Sequence, residues 1–193
     1  ANIVGVLANT GLRPKELLGL YWHEIKINKN DSRRLQRSHR LLTIRQDNSK
    51  TGRSRTVNAP VGERVDRIKD IYKDLKFEIK PDDFFMVNPS SNERKSYTRE
   101  NLARRLKDVL EGSGIQNTLE ETDRNVTLYS FRHMYICWRL RYGQVPIQLV
   151  AKNCGTSINM IEKTYGHIST VLETELLTKN QGYAATAAIN LAD

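Results

Sequence analysis

The sequence has only two cysteines, Cys137 and Cys154, and neither has the spacing of a disulfide framework or a zinc site. Both are expected to be buried free thiols of a reducing compartment. No run approaches the roughly 18 apolar residues that a membrane-spanning helix needs. No Gly-Lys dipeptide occurs, which excludes a phosphate-binding P-loop. No Ser-x-x-Lys occurs either, so Lys50-Thr51-Gly52 is not the remnant of a β-lactamase site. His23-Glu24 lacks a second histidine at metalloprotease spacing, and Asp82-Asp83 and Glu120-Glu121 read as solvated loops. Neither a metal site nor a cofactor is expected. Acidic residues are also in deficit: 31 Lys+Arg face 22 Asp+Glu, a formal charge of +9. That surplus argues for a polyanionic partner, nucleic acid before an anionic membrane. The first residues lack the basic start of a secretory signal and open inside an apolar, uncapped run, as expected of a segment of a longer protein.

The charge is local. Between Asp31 and Arg55 lie eight basic residues and two acidic ones, whereas Thr170 to Asp193 carries Lys179 against Glu173, Glu175 and Asp193. Length and the lack of a long linker fit one domain over residues 1–193. The pattern predicts a mostly α chain with a small antiparallel β-sheet near its N-terminal end, an α+β class. A helix over 1–9 stops at Thr10-Gly11, and a second begins at Pro14. "WHEIKI" alternates as a strand would, Asn28–Ser32 is turn chemistry, and "LLTIRQ" and "RTVNAP" read as strands around the tip "DNSKTG". Helical spacing returns over 61–77 and Arg99–Gly112, and Glu120–Asn125 reads as a polar loop. Thr127 is expected to cap a helix reaching Tyr142, Pro146 to open a short one, and Ser157 to cap the next. From Thr170 the tail is helical in pattern and then Ala-rich.

Four residues could each be ordinary. Arg13 in "TGLRPKEL" could be a surface arginine paired with Glu16, and Lys50 in "SKTGRSRTV" a solvated turn residue. Tyr165 in "EKTYGH" could be a half-buried packing aromatic. Arg132 in "TLYSFRHMYICWRL" is harder to treat so, because a charge among Leu128, Phe131, Tyr135 and Ile136 needs a partner, either a carboxylate or a bound phosphate.

In this order and these contexts, "TGLRPKEL", "SKTGRSRTV", "YSFRH", "CGTS" and "EKTYGH" resemble the motifs of the tyrosine recombinases, or phage-type integrases, over residues 8–167. Two positions depart from the family pattern. Tyr129 stands where the family most often has His, and Thr156 where it has His or Trp.

The resemblance implies the recombinase catalytic-domain fold without the separate N-terminal DNA-clamping domain. It implies site-specific recombination through a 3′-phosphotyrosyl intermediate, without metal or ATP. Tyr165 is then the nucleophile, Arg13 and Arg132 the forks on the phosphate oxygens, and Lys50 the acid for the leaving 5′-oxygen. Tyr129, His133 and Thr156 complete the catalytic set, with Tyr129 and His133 donating to the phosphate or orienting the arginines. A phenol has a pKa of about 10, and the two arginines are expected to supply the field that activates it. Arg33, Arg34, Arg37, Arg40, Arg53 and Arg55 are expected to contact the DNA backbone. Double-stranded DNA is the expected partner, with a tetramer of full-length chains across two duplexes. The expected location is the cytoplasm of a bacterial or phage-infected cell, on DNA and not on a membrane. The rival readings are a type IB topoisomerase with the same chemistry and a non-catalytic DNA-binding module on the same fold.

Overall fold

The computed structural model describes residues 2–166; the expected helical tail lies outside them. Helix α1 (Asn2–Thr10) buries Val6 and Leu7 and ends as Gly11 turns into the left-handed region, φ 67°. A Cβ on Gly11 would stand 2.5 Å from the ring of Tyr135, so both backbone angle and space demand glycine. Helix α2 (Pro14–Leu18) follows, with Arg13 at its N-cap and Pro14 in its first turn.

Three antiparallel strands come next: β1 (Ile25–Lys26), β2 (Arg40–Ile44) and β3 (Arg55–Ala59), in that order across the sheet. The register pairs Arg40 with Ala59 and Ile44 with Arg55. The period of two sends Leu42, Ile44, Val57 and Ala59 inward and leaves Thr43 and Asn58 exposed. Gly52, at φ 64°, turns the chain between β2 and β3.

The expected strand "WHEIKI" is mostly a 3-10 turn, Trp22–Glu24, with only Ile25 and Lys26 paired after it. The N–H groups of Trp22 and His23 donate to the carbonyls of Asp83 and Pro81, and a Glu24 carboxylate oxygen accepts the Tyr21 N–H at 2.8 Å. Those partners leave no ladder for the segment to join. A short helix, α3 (Arg33–Ser38), occupies the basic segment behind its Ser32 cap, where only a turn at 28–32 was expected.

Helix α4 (Gly62–Asp74) stops short of the expected residue 77, and Lys76 is left-handed at φ 54°. Helix α5 (Arg99–Gly112) has the expected bounds: Thr98 caps it, and Leu102 and Leu106, one turn apart, are its buried residues. Helix α6 (Ile115–Glu121) takes the first residues of the expected polar loop. Helix α7 (Ser130–Arg141) begins later than expected, because the Thr127 hydroxyl accepts the Tyr129 N–H and thereby closes a turn before the helix. Helix α8 (Ile147–Cys154) opens after Pro146, and the Ser157 hydroxyl accepts the Met160 N–H at the start of α9 (158–166).

The apolar side chains gather in two clusters. The larger joins α1, α2, β2, β3, α4 and α5 through residues such as Leu7, Leu17, Leu42, Val65, Phe85 and Leu102. The smaller holds Tyr135, Ile136, Val150, Ala151, Cys154, Ile161 and Tyr165, from α7, α8 and α9. Helix α7 lies between them, giving Phe131 to the first cluster and Tyr135 to the second.

Candidate active site

Arg13, Arg132, His133, Thr156 and Tyr165 lie where α2, α7, the 155–157 loop and α9 meet. Arg13 leaves the α2 N-cap with two partners: Nη1 donates to Glu16 Oε1 at 3.0 Å, and Nη2 to the Gly155 carbonyl at 3.1 Å. Gly155, left-handed at φ 60°, ends α8 and aims that carbonyl at Arg13. The Thr156 N–H, next in the chain, donates to the Ala151 carbonyl.

Arg132, in the first turn of α7, is 2 % exposed. Its Nη1 donates to the Gly11 carbonyl at 2.5 Å. Among the described residues it has no ion-pair partner. Burial, with the Arg13 charge as a further cause, lowers its pKa, although a guanidinium stays charged at neutral pH. Among the described residues Arg132 is thus a buried cation held by one carbonyl. Such a group costs several kcal/mol, of the order of 3–5, until something anionic reaches it.

The phenolic hydroxyl of Tyr165 is hydrogen-bonded to His133 Nδ1. The Tyr165 ring is 7 % exposed, packed among Tyr135, Ile136, Cys154 and Ile161. Burial pushes its pKa up, and the nearby Arg132 charge lowers it less than burial raises it. The expectation that two arginines activate this phenol by their field is therefore corrected for the DNA-free protein. The ring is desolvated, and Arg13 is already engaged with Glu16 and Gly155. Burial, then the adjacent Arg132 charge, lowers the His133 pKa, so its imidazole is neutral at pH 7. Its Nδ1 is turned to the tyrosine. Tyr129 lies edge-on to the His133 ring at 5.1 Å between centroids and is 41 % exposed.

Lys50 is exposed in the loop between β2 and β3. That loop borders the Thr156 segment: Thr51, Arg53, Gly155 and Thr156 line one cleft.

The six arginines expected on DNA divide. Arg33, Arg34 and Arg37 on α3 and Arg53 on the hairpin face solvent. Arg40 and Arg55 are corrected to inward-facing residues. Arg40 is 5 % exposed and donates to the carbonyls of Gln36, Arg37 and His39 and to the Asp66 carboxylate. The Arg55 guanidinium forks onto Glu16 at 3.0 and 2.8 Å and donates to the Asn153 carbonyl. With their N–H groups so occupied, neither is placed to grip a backbone phosphate.

Sequence reasoning saw Glu16 only as a surface partner of Arg13. Its carboxylate is 1 % exposed and also takes both ends of Arg55. Burial alone would raise its pKa, but the bonds from Arg55 and from the Arg13 N–H, with both guanidinium charges, hold it below the usual carboxylate range. The fixed spacing of Arg13 and Glu16 in "TGLRPKEL" was the available signal. Among the described residues no group of His, Cys, Asp and Glu gathers in a metal-binding arrangement, and no helix is long and apolar enough to cross a membrane.

With this fold and this cluster, the chain belongs to the phage integrase family, whose model matches residues 1–170. Among solved structures it is similar to the XerA recombinase, at 24% identity and a TM-score of 0.63 over 93% of this chain and 57% of that one. The XerH site-specific recombinase, in a post-cleavage complex with a palindromic difH substrate, matches at 14% identity and a TM-score of 0.63, over 93% of this chain and 45% of that one. The Tn1549 transposon integrase, in complex with transposon right end DNA, matches at 18% identity and 0.56, over 91% and 58%. These likenesses establish a mostly helical recombinase catalytic-domain fold with a small antiparallel sheet. The chain thus spans about half the length of each of these proteins. No curated protein sequence matched it.

Proposed function

We propose that this chain is the catalytic domain of a site-specific tyrosine recombinase that cuts and rejoins double-stranded DNA. The observation that carries the reading is Arg132: a buried guanidinium with a single carbonyl partner among the described residues, beside Arg13 and adjacent in sequence to the histidine that holds Tyr165. A phosphodiester is an anion that would complete it.

In the proposed step the Tyr165 oxygen bonds to phosphorus as the bond from phosphorus to the 5′-oxygen breaks. The phenol proton passes to His133 Nδ1, and Lys50 gives a proton to the departing 5′-oxygen. Arg13 and Arg132 hold the non-bridging oxygens, whose charge grows in the transition state. Tyr129 and Thr156 border the same place. The products are a 3′-phosphotyrosyl bond and a free 5′-hydroxyl, and the reverse step rejoins the strand without ATP or metal. Solvent-facing Arg33, Arg34, Arg37 and Arg53 supply backbone contacts. On DNA, inside the cell, the full-length protein assembles as a tetramer across two duplexes.

The test is covalent capture from a randomised pool of nicked duplexes in which the cut strand cannot be rejoined. The wild type is expected to leave DNA-linked protein on a denaturing gel, and Tyr165→Phe none at equal DNA affinity. An adduct of normal yield from Tyr165→Phe would overturn the assignment; an undamaged duplex bound without any adduct would favour a DNA-binding module.

A further inference from the structure

Glu16 holds the Lys50 loop from both sides. Two residues before Lys50, Asn48 Nδ2 donates to the Glu16 backbone carbonyl at 2.8 Å. Five residues after it, Arg55 forks onto the Glu16 carboxylate. Both anchors are buried: Asn48 is 6 % exposed, the Arg55 side chain 9 % and that of Glu16 1 %. The seats are close-fitting. A Cβ on Gly19 would collide with the Asn48 carboxamide, and one on Gly155 would stand 2.7 Å from the Arg55 guanidinium. The same Glu16 carboxylate accepts the backbone N–H and Nη1 of Arg13. Lys50 thus sits in a loop whose flanks are fixed on the residue that fixes Arg13.

We propose that Asn48 and Arg55 are positioning residues for Lys50, docking its hairpin on Glu16 so that the proton donor and the phosphate-binding Arg13 keep one fixed separation. This rests on the proposed role of Lys50 as general acid. Holding a catalytic group in its productive place accounts for much of its effect, and a displacement of about 1 Å is enough to lose a factor of about 100. Neither Asn48 nor Arg55 needs to touch DNA.

The test uses the nicked duplex that the wild-type protein captures, made with either oxygen or sulfur at the bridging 5′ position. Sulfur leaves without a proton, so it removes the need for the acid and little else. Asn48→Ala and Arg55→Lys are expected to cleave the oxygen duplex roughly 10- to 100-fold slower in single turnover. On the sulfur duplex both should come within about threefold of wild type, with unchanged DNA affinity. Lys50→Ala is the reference and should show the same rescue. If sulfur fails to rescue Lys50→Ala, the general-acid role falls and this inference falls with it. If it rescues Lys50→Ala while Asn48→Ala and Arg55→Lys stay slow on both duplexes, the two residues serve only the fold and the inference alone is overturned. Asn48→Ala leaves the Glu16–Arg55 pair intact, so it decides the matter even where Arg55→Lys loses its thermal transition. Failure of the wild type to capture any duplex removes the proposed function and this inference together.

Discussion

The Tyr165 hydroxyl is hydrogen-bonded to Nδ1 of His133, whose imidazole is neutral at pH 7. In the proposed step these two residues, on α7 and α9, would form one proton-transfer unit whose protonation state sets when the tyrosine is activated.

That unit predicts the pH dependence of cleavage. His133 titrates below its ordinary value of about 6.5, because burial and then Arg132 disfavour its charged form. Single-turnover cleavage should be flat from pH 7 to about 8 and fall as acid protonates Nδ1. His133→Gln should lose roughly 10²- to 10⁴-fold in rate and lose the acid limb of the profile. An unchanged acid limb in the mutant would exclude His133 as the proton acceptor. The same shift has a stability sign: the unfolded chain binds the proton first, so His133's contribution is present above about 6.5 and fades as pH falls through its lower folded value.

Arg132 separates activity from stability. Replacing an under-partnered buried charge by an apolar side chain of similar length should not weaken the fold. Arg132→Met is expected to keep or raise the thermal midpoint while cleavage falls by at least about 10²–10³. Arg132→Lys keeps the charge but not the fork, and should also cleave poorly. A large drop in thermal midpoint for Arg132→Met would mean that its bond to Gly11 is chiefly structural.

Glu16 behaves in the opposite way. Glu16→Ala leaves the Arg13 and Arg55 guanidinium groups without their shared carboxylate, and should cost about 3–5 kcal/mol in denaturant unfolding. Its lowered pKa gives a second signature. The Glu16 contribution is complete above the ordinary carboxylate value and is lost as pH falls through the depressed folded one. The acid side of the stability curve should therefore be shallower in Glu16→Gln than in wild type.

The basic residues should sort by salt dependence. An arginine that grips one phosphate adds about 0.9 to the slope of log affinity against log salt, so its removal flattens that slope by the same amount. Arg33→Ala, Arg34→Ala and Arg37→Ala should each flatten it. Arg40→Ala should leave it unchanged and lower the thermal midpoint, since its partners are Asp66 and three carbonyls. A flatter slope for Arg40→Ala would return it to the DNA face.

Tyr129 distinguishes a donor from a packing ring. If its hydroxyl reaches the phosphate, Tyr129→Phe should slow cleavage by the worth of one neutral hydrogen bond, about 0.5–1.5 kcal/mol, with no change in thermal midpoint. Unaltered rate and midpoint would leave only its edge contact with His133.

The strands β2 and β3 and helix α5 were legible because period and cap agree with burial: Leu42 and Val57 alternate inward, and Thr98 precedes Leu102 and Leu106. "WHEIKI" misled because its N–H groups are claimed by Pro81 and Asp83, about 60 positions away, which no local pattern reveals. The basic run hid two kinds of arginine. Arg37 and Arg40 look alike in sequence, yet one faces water and the other a carboxylate on α4. The recombinase motifs brought Arg13, Arg132, His133 and Tyr165 into one place, but they did not say that His133 would meet the tyrosine. Nor did they show burial outweighing the arginine field at Tyr165.

The division of the interior into two clusters gives the site two clocks. The strands flanking the Lys50 hairpin and helix α2, which carries Arg13 at its N-cap, belong to the larger cluster, while Tyr165 sits in the smaller one, which among the described residues has fewer buried apolar side chains. Regions with less buried apolar contact open at lower free energy than the main core. Amide protons of α8 and α9 should therefore exchange with solvent before those of α1 and β2. With Tyr165 as the proposed nucleophile, local opening of α9 would withdraw it while α1 and the sheet stay folded, so its availability would be set separately from the stability of the main core.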